Sequence, residues 1–279
     1  MPSAYSTARS AAVLRWLLGV GVAAIALLVP ARAAFTVANL HCSVLLSPAT
    51  AVQLGLRNGP DAGSIYGEKF DHLARLIASA DADFVALEAV AAKREVEDLA
   101  VRLSGLSGAT WKGIFIPGAS KYAARNLAVV YRPRRGLEIT GAGRIQDLTD
   151  VPTHLVFTLA VDGTACSICV VDLADPEGVN PATYAVQLKA LQAWAARQSG
   201  TAIIMGAFND EHRKLPPLFS INERLGWPAT ELGNRGRDYI FSSRALPLGE
   251  ILPPPFGQDP GEVVRARWTD HFLVKALVP

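Results

Sequence analysis

Several things are scarce in this chain of 279 residues, and each scarcity excludes something. Cysteine occurs three times, at Cys42, Cys166 and Cys169. In an oxidising compartment that allows one disulfide and one free thiol. Cys166-Ser-Ile-Cys169 has redox or zinc spacing, but it reads as strand, where residues three apart point to opposite faces. Small buried hydrophobes are the simpler reading of these side chains. Net charge is also small, formally +2 with 19% charged residues. A near-neutral chain lacks the bulk positive field that gives nucleic-acid binders their non-specific affinity. The basic clusters (Arg132, Arg134, Arg135; Arg235, Arg237; Arg265, Arg267) are local and read as solvated surface. There is no internal linker, repeat or low-complexity block, so one domain is expected.

No apolar run comfortably spans a membrane, which takes about 20 residues. The longest, Trp16 to Val29, has 14 residues. Arg9 and Arg15 precede it, and Pro30 and Ala31-Arg32-Ala33 follow. Basic start, short apolar run and Ala-x-Ala pattern read as a signal peptide over residues 1–33, cleaved after Ala33, with an uncleaved N-terminal anchor as the alternative. Either form exports the rest, residues 34–279, as a periplasmic or secreted protein. Residues 1–33 hold three arginines and no acid, so the remainder carries a net charge of −1.

From Ala34 onward, apolar strand-like runs alternate with amphipathic helical stretches. Strands are expected at Phe35–His41, Asp83–Glu88, Trp111–Ile116, Leu127–Arg132, His154–Val161, Ala165–Asp172, Ala202–Met205, Asp238–Ser242 and Phe272–Leu277. Helices are expected over Gly67–Ala80, Lys93–Leu103 and, with Asn180 as cap and Pro181 at the first position, on to Gln198. Asp162-Gly163 marks a tight hairpin. Pro and Gly density predicts long loops at 215–236 and 247–261. Strands outnumber helices, and some pair locally while others are separated by helices. That mixture predicts an α+β fold of two packed sheets with helices outside, rather than a doubly wound parallel sheet.

Polar residues close the apolar strands. Asn39 ends Phe35-Thr-Val-Ala-Asn39, Glu88 ends Asp83-Phe-Val-Ala-Leu-Glu88, and Asn209 follows Ile203-Ile-Met-Gly206-Ala207-Phe208. Asp238 precedes Tyr-Ile-Phe, and Asp270-His271 precedes Phe272-Leu-Val. A carboxylate at the end of a buried strand is costly unless it is paired, hydrogen-bonded or bound to a metal. Five such ends in one chain form a pattern, and strand ends are where sheet proteins build sites.

The order and spacing of these segments, with Leu127-Ala-Val-Val-Tyr131-Arg132, resemble the endonuclease/exonuclease/phosphatase superfamily, the DNase I-like metal phosphoesterases. The matching pieces run from Phe35 to about Val274. The resemblance implies a four-layer α/β/β/α sandwich of two mostly antiparallel sheets, with a site at one edge of the sheet pair. It further implies metal-assisted attack of water on a phosphodiester or phosphomonoester in a nucleic acid, a phospholipid headgroup or a small molecule. Glu88 is then the main ligand for Mg²⁺ or Mn²⁺, helped by Asn39 and Asp270, an oxygen-rich set suited to a hard cation. Asn209 holds the attacking water or a phosphate oxygen. His271, oriented by Asp238 or Asp270, contacts the phosphate, and Tyr122 lies near the family's active-site tyrosine. His41, His72, His154 and His212 have no matching role and read as structural or exposed.

Three departures qualify the resemblance. The family's Gly-Asp-Phe-Asn is here Gly206-Ala207-Phe208-Asn209, and a methyl group neither accepts a proton nor hydrogen-bonds. Loss of a general base forfeits about two to four orders of magnitude in rate. The strand expected to end in His-Leu ends in Asp172-Leu173, and an expected Arg-x-Pro is Asp150-Val151-Pro152. One carboxylate is lost at Ala207 and one gained at Asp172. Either Asp172 is a displaced base or extra metal ligand, or the scaffold has drifted away from catalysis. The two functional readings are therefore an exported metal-dependent phosphoesterase and a catalytically impaired relative that serves as a binding protein.

Overall fold

The alternating apolar runs become two six-stranded sheets. The computed structural model describes residues 34–55, 62–117, 126–134, 136–151, 153–173, 181–211, 213–230, 236–253 and 271–279. Residues 34–279 form one compact unit; residues 1–33, read above as a signal, lie outside the described residues. Sheet one contains β1 (Phe35–Leu45), β2 (Phe84–Val90), β3 (Lys112–Phe115), β4 (Asn126–Tyr131), β11 (Leu248–Leu252) and β12 (Leu273–Val278), in the order β11-β12-β1-β2-β4-β3. Sheet two contains β5 (Leu137–Gly143), β6 (His154–Val161), β7 (Thr164–Asp172), β8 (Thr201–Ala207), β9 (Phe219–Ser220) and β10 (Asp238–Ser242), in the order β5-β6-β7-β8-β10-β9.

Each sheet is built around one parallel pair, β1–β2 and β7–β8, and every other named pairing is antiparallel. Parallel neighbours require a crossover. The first contains α1 (Pro48–Gln53) and α2 (Ala62–Ala80), and the second contains α4 (Pro181–Ala196). Helix α3 (Lys93–Ser107) follows β2, ending at Gly108 in the left-handed conformation that glycine adopts without strain. Alternation then sorts the side chains. Val37, Phe84, Ala86 and Val129 of sheet one meet Phe157, Ile168, Val170, Met205 and Ile240 of sheet two. Phe84 and Phe157 pack edge to face there, with ring centroids 5.3 Å apart. On the opposite faces, Leu40, Val85 and Leu87 pack under Phe70, Leu73, Ile77 and Leu99 of α2 and α3. Val171, Ala202 and Ile204 pack under Tyr184, Leu191 and Trp194 of α4. The result is the four-layer α/β/β/α sandwich. Burial of a single large apolar side chain contributes about 1.5–3 kcal/mol, and three such cores hold the layers together.

The hairpin expected at Asp162-Gly163 has positive φ at both residues, 46° and 77°, as a tight turn requires. Two edge strands, β5 and β11, were not expected. Their outer positions are exposed and their inner ones weakly apolar, so the period-2 signal is faint. Two short elements, β9 and α5 (Ile221–Arg224), lie in the segment expected to be loop. Helix α1 sits where the sequence suggested a polar connection, capped by Ser47, whose hydroxyl accepts from Thr50 N–H, with Pro48 at the start. The single disulfide is not formed, and all three thiols are free and buried. Cys42 packs between sheet one and its helices, Cys166 between the sheets, and Cys169 between sheet two and α4. Each lies in a different core layer.

A candidate active site at one end of the paired sheets

On the inter-sheet face β1, β2, β7 and β8 run apolar up to one end of the seam. Phe35 and Val37 lead to Asn39, Phe84 and Ala86 to Glu88, Ile168 and Val170 to Asp172, and Ile203 and Met205 to Ala207. Strand β10 runs the other way, so Asp238 at its start lies two residues before inward-facing Ile240. Register then joins these ends. Asn39 pairs with Ala86 and His41 with Glu88 in sheet one. In sheet two, Ala207 is flanked by Asp172 on β7 and Asp238 on β10.

Glu88, Asn39 and Asp238 are each 0% exposed. Both carboxylate oxygens of Glu88, both amide atoms of Asn39 and Oδ1 of Asp238 have no hydrogen-bond partner. Burial pushes the Glu88 carboxyl well above the usual carboxylate range, and the negative charges of Asp238 and Asp172 push it further. Asn39 and the backbone of Glu88 itself pull it part of the way back; the Asn39 amide is close enough to act on the carboxylate without meeting hydrogen-bond geometry. Orphaned buried polar atoms are rare and costly. Three orphaned oxygens on two adjacent strands, Glu88 Oε1 and Oε2 and Asn39 Oδ1, are the donor set a hard divalent cation takes. Among the described residues, no three His, Cys, Asp or Glu side chains form a complete metal-binding group. Asp270, expected as the third ligand, lies outside the described residues, as does Tyr122.

His271 is buried, and its Nδ1 lies 2.8 Å from Asp238 Oδ2, so the carboxylate fixes the ring. Thr230 sets the spacing of the two segments. Its hydroxyl accepts from the N–H groups of Arg237 and Asp238, and its carbonyl accepts from Phe272 N–H. His41, to which the sequence assigned no role, lies beside His271. Its ring centroid is 4.1 Å from that of His271, tilted by 33°. A reading of β1 alone does signal it: His41 is two residues beyond Asn39 and shares its face. His154, as expected, is structural: its Nδ1 is 2.5 Å from Val151 O and its Nε2 accepts from Ile145 N–H. Burial holds its pKa below the ordinary histidine value. His72 is half-buried on α2, and His212 lies outside the described residues.

The motif Gly206-Ala207-Phe208-Asn209 is locked from the back. Phe208 is fully buried against Tyr239 and Phe241, its carbonyl accepts from Tyr184 OH at 2.7 Å, and its N–H donates to Arg237 O. Gly206 has φ 140°, and a Cβ there would sit 1.8 Å from Val171 O. Asn209 has φ 53°, a conformation Asn tolerates better than most residues. Its Nδ2 donates to Leu173 O at 2.5 Å, which fixes the side chain and leaves Oδ1 and the second N–H of the amide for other contacts. Strands β1 and β2 are irregular just past the site: register shifts between His41 and Leu45 and between Leu87 and Val90, with Ser43 at φ 44° and Ala89 at φ 57°. Bulges next to sites re-aim side chains and end strand pairing.

No protein-family model matches the chain, and no curated protein matches it. Solved structures do. A humanized TDP2 of D. rerio superposes with a TM-score of 0.63 at 12% identity, covering 88% of this chain and 98% of that one. The human Nocturnin catalytic domain gives 0.58 at 18% identity, covering 88% and 94%. An endonuclease/exonuclease/phosphatase family protein from Leptotrichia buccalis gives 0.54 at 13% identity, covering 87% and 98%. The chain therefore has the endonuclease/exonuclease/phosphatase, or DNase I-like, fold, and the resemblance drawn from its strand ends holds at that level.

Proposed function

We propose that this protein is a divergent endonuclease/exonuclease/phosphatase relative, exported from the cytoplasm, that hydrolyses a phosphate ester with the help of Mg²⁺ or Mn²⁺. The observation that carries the reading is the orphaned Glu88 carboxylate beside Asn39, facing the His271–Asp238 pair across the seam. Export rests on the pattern of residues 1–33. Glu88 and Asn39, with Asp270, would hold the cation, which supplies polarisation of a phosphoryl oxygen and stabilisation of transition-state charge. Without a cation, the carboxylates of Asp172 and Asp238 disfavour a phosphate dianion at this end of the seam. His271, with Nδ1–H committed to Asp238, presents Nε2 to the phosphoryl group. Asn209 holds the attacking water or a phosphate oxygen. Asp172, beside the Ala207 methyl, is the carboxylate placed to take the water's proton or hold it through one hydrogen bond. The substrate is a phosphodiester or phosphomonoester of a nucleic acid, a phospholipid headgroup or a small molecule.

Ala207 favours a second reading, a binding protein that keeps the metal and phosphate but turns over slowly or not at all. Its methyl is 1% exposed, at the strand-end position between two carboxylates. Calorimetric titration of Mg²⁺ and Mn²⁺ into the protein, with Glu88→Ala as control, tests the shared premise. Turnover of a generic phosphodiester and phosphomonoester by the wild type then separates the two readings. Absence of metal binding in the wild type would overturn both.

A further inference from the structure

The stacked histidines carry an inference that rests on the phosphoesterase reading and deepens it. His41 follows Asn39 on the inward face of β1 and is the register partner of Glu88. Its ring stacks on that of His271, yet it is more open to solvent than the buried His271. Its Nδ1 accepts a hydrogen bond from the Ser43 backbone N–H at 3.2 Å. A backbone amide only donates, so Nδ1 is the unprotonated nitrogen and Nε2 carries the hydrogen. The tautomer is set by the main chain.

That amide is deliberately placed. Ser43 lies in the left-handed region, φ 44°, which a residue with a side chain adopts only when its surroundings hold it there. Its carbonyl accepts from Lys69 Nζ of α2 at 3.0 Å, and Lys69 is itself only 7% exposed. His271 has the opposite polarity: Nδ1–H faces Asp238. The two stacked rings thus carry opposite hydrogen placement at Nδ1, one set by the main chain and one by a carboxylate.

We propose that His41 is a second phosphoryl-contacting residue, donating Nε2–H to a non-bridging oxygen of a phosphate group held at the Glu88 site. In this role it takes over from the imidazole expected at the end of β7, where Asp172 stands instead. The imidazole lost from sheet two is thus replaced by one on β1 of sheet one, positioned by the bulge after it.

The test uses the full chain and inorganic phosphate as the probe, in saturating Mg²⁺. His41→Ala should weaken phosphate binding at least about tenfold while Mg²⁺ affinity stays within about twofold. His41→Gln, which retains an N–H donor near the Nε2 position, should recover most of the loss. Unchanged phosphate affinity in His41→Ala, or a metal-loaded wild type that binds no phosphate, would overturn the proposal and leave the metal site standing. Loss of Mg²⁺ binding in the wild type would instead overturn the parent reading, and this proposal with it. A long-range ¹H–¹⁵N spectrum of the wild type keeps the proposal testable if His41→Ala does not fold. It should show His41 as the Nε2–H tautomer, with that nitrogen shifting on phosphate addition; the other tautomer or an unmoved signal would also overturn the proposal.

Discussion

Asp172 stands in register beside Ala207 across the parallel β7–β8 pair. Adjacent strands lie about 4.8 Å apart, so the carboxylate absent from β8 has a counterpart one strand away on the same face. Asp172 is close enough to Glu88 to raise its pKa, which puts it at the site. If Asp172 handles the attacking water, Asp172→Ala should lower turnover of a simple phosphodiester in Mn²⁺ by about two to four orders of magnitude, with metal affinity little changed. Ala207→Asp in that background should restore part of the rate. Equal rates in wild type and Asp172→Ala would assign the residual activity elsewhere.

Glu88 predicts how metal and pH act on stability. Its folded pKa is raised from an ordinary value of 4.5, so the folded state holds a proton that the unfolded state releases more readily. In chelator, its contribution to stability is complete below about pH 4.5 and is lost as pH rises towards the folded value. Glu88→Gln should therefore flatten the pH profile and be the more stable protein at pH 8 without metal. Mg²⁺ at one hundred times its Kd should stabilise the wild type by about 2.7 kcal/mol, or about 5–10 °C in Tm for a domain of this size. The variant should not respond. Thermal unfolding at pH 5 and 8, with chelator and with Mg²⁺, reads all four states.

Asn39, Glu88, Asp238 and the Gly206–Asn209 motif were legible in the sequence because each ends a run whose apolar alternation fixes its face. The sandwich was legible for the same reason, since strongly buried strands have the clearest period. Edge strands β5 and β11 were missed because half their residues face solvent and their inner positions include Gly141 and Gly249. The contact of His41 with His271 was hidden for a different reason. His271 comes 230 residues later and reaches His41 only through the pairing of β12 with β1. The row Asp172–Ala207–Asp238 likewise depends on one parallel and one antiparallel register that no local pattern specifies. Tertiary pairing decides what strand-end residues become.

The cysteines should be chemically silent in the folded protein. Burial pushes the Cys42 and Cys166 thiols up to about 12 and raises that of Cys169 as well, so almost no reactive thiolate forms near neutral pH. An aromatic disulfide reagent should titrate no thiol in native protein and all three in denaturant. Any native disulfide found by mass spectrometry would contradict the placement of these residues in three separate cores.

Gly206 should be the least replaceable residue of its motif. Its φ of 140° lies in a region that side chains disfavour, and a Cβ there would collide with the Val171 carbonyl at 1.8 Å. Backbone strain of this kind costs about 1–3 kcal/mol, and forced overpacking costs a similar amount. The atom in the way is backbone within the paired β7–β8 strands, so it cannot rotate aside as a flexible side chain would. Gly206→Ala should therefore destabilise the fold by about 3 kcal/mol or more in denaturant unfolding. Because β7 and β8 carry Asp172 and Ala207, any relaxation would separate those two positions. A folded Gly206→Ala protein should thus show lower turnover than wild type even at low temperature, where the population unfolded is small. Stability within about 0.5 kcal/mol of wild type would show that the two strands do not approach so closely at this point.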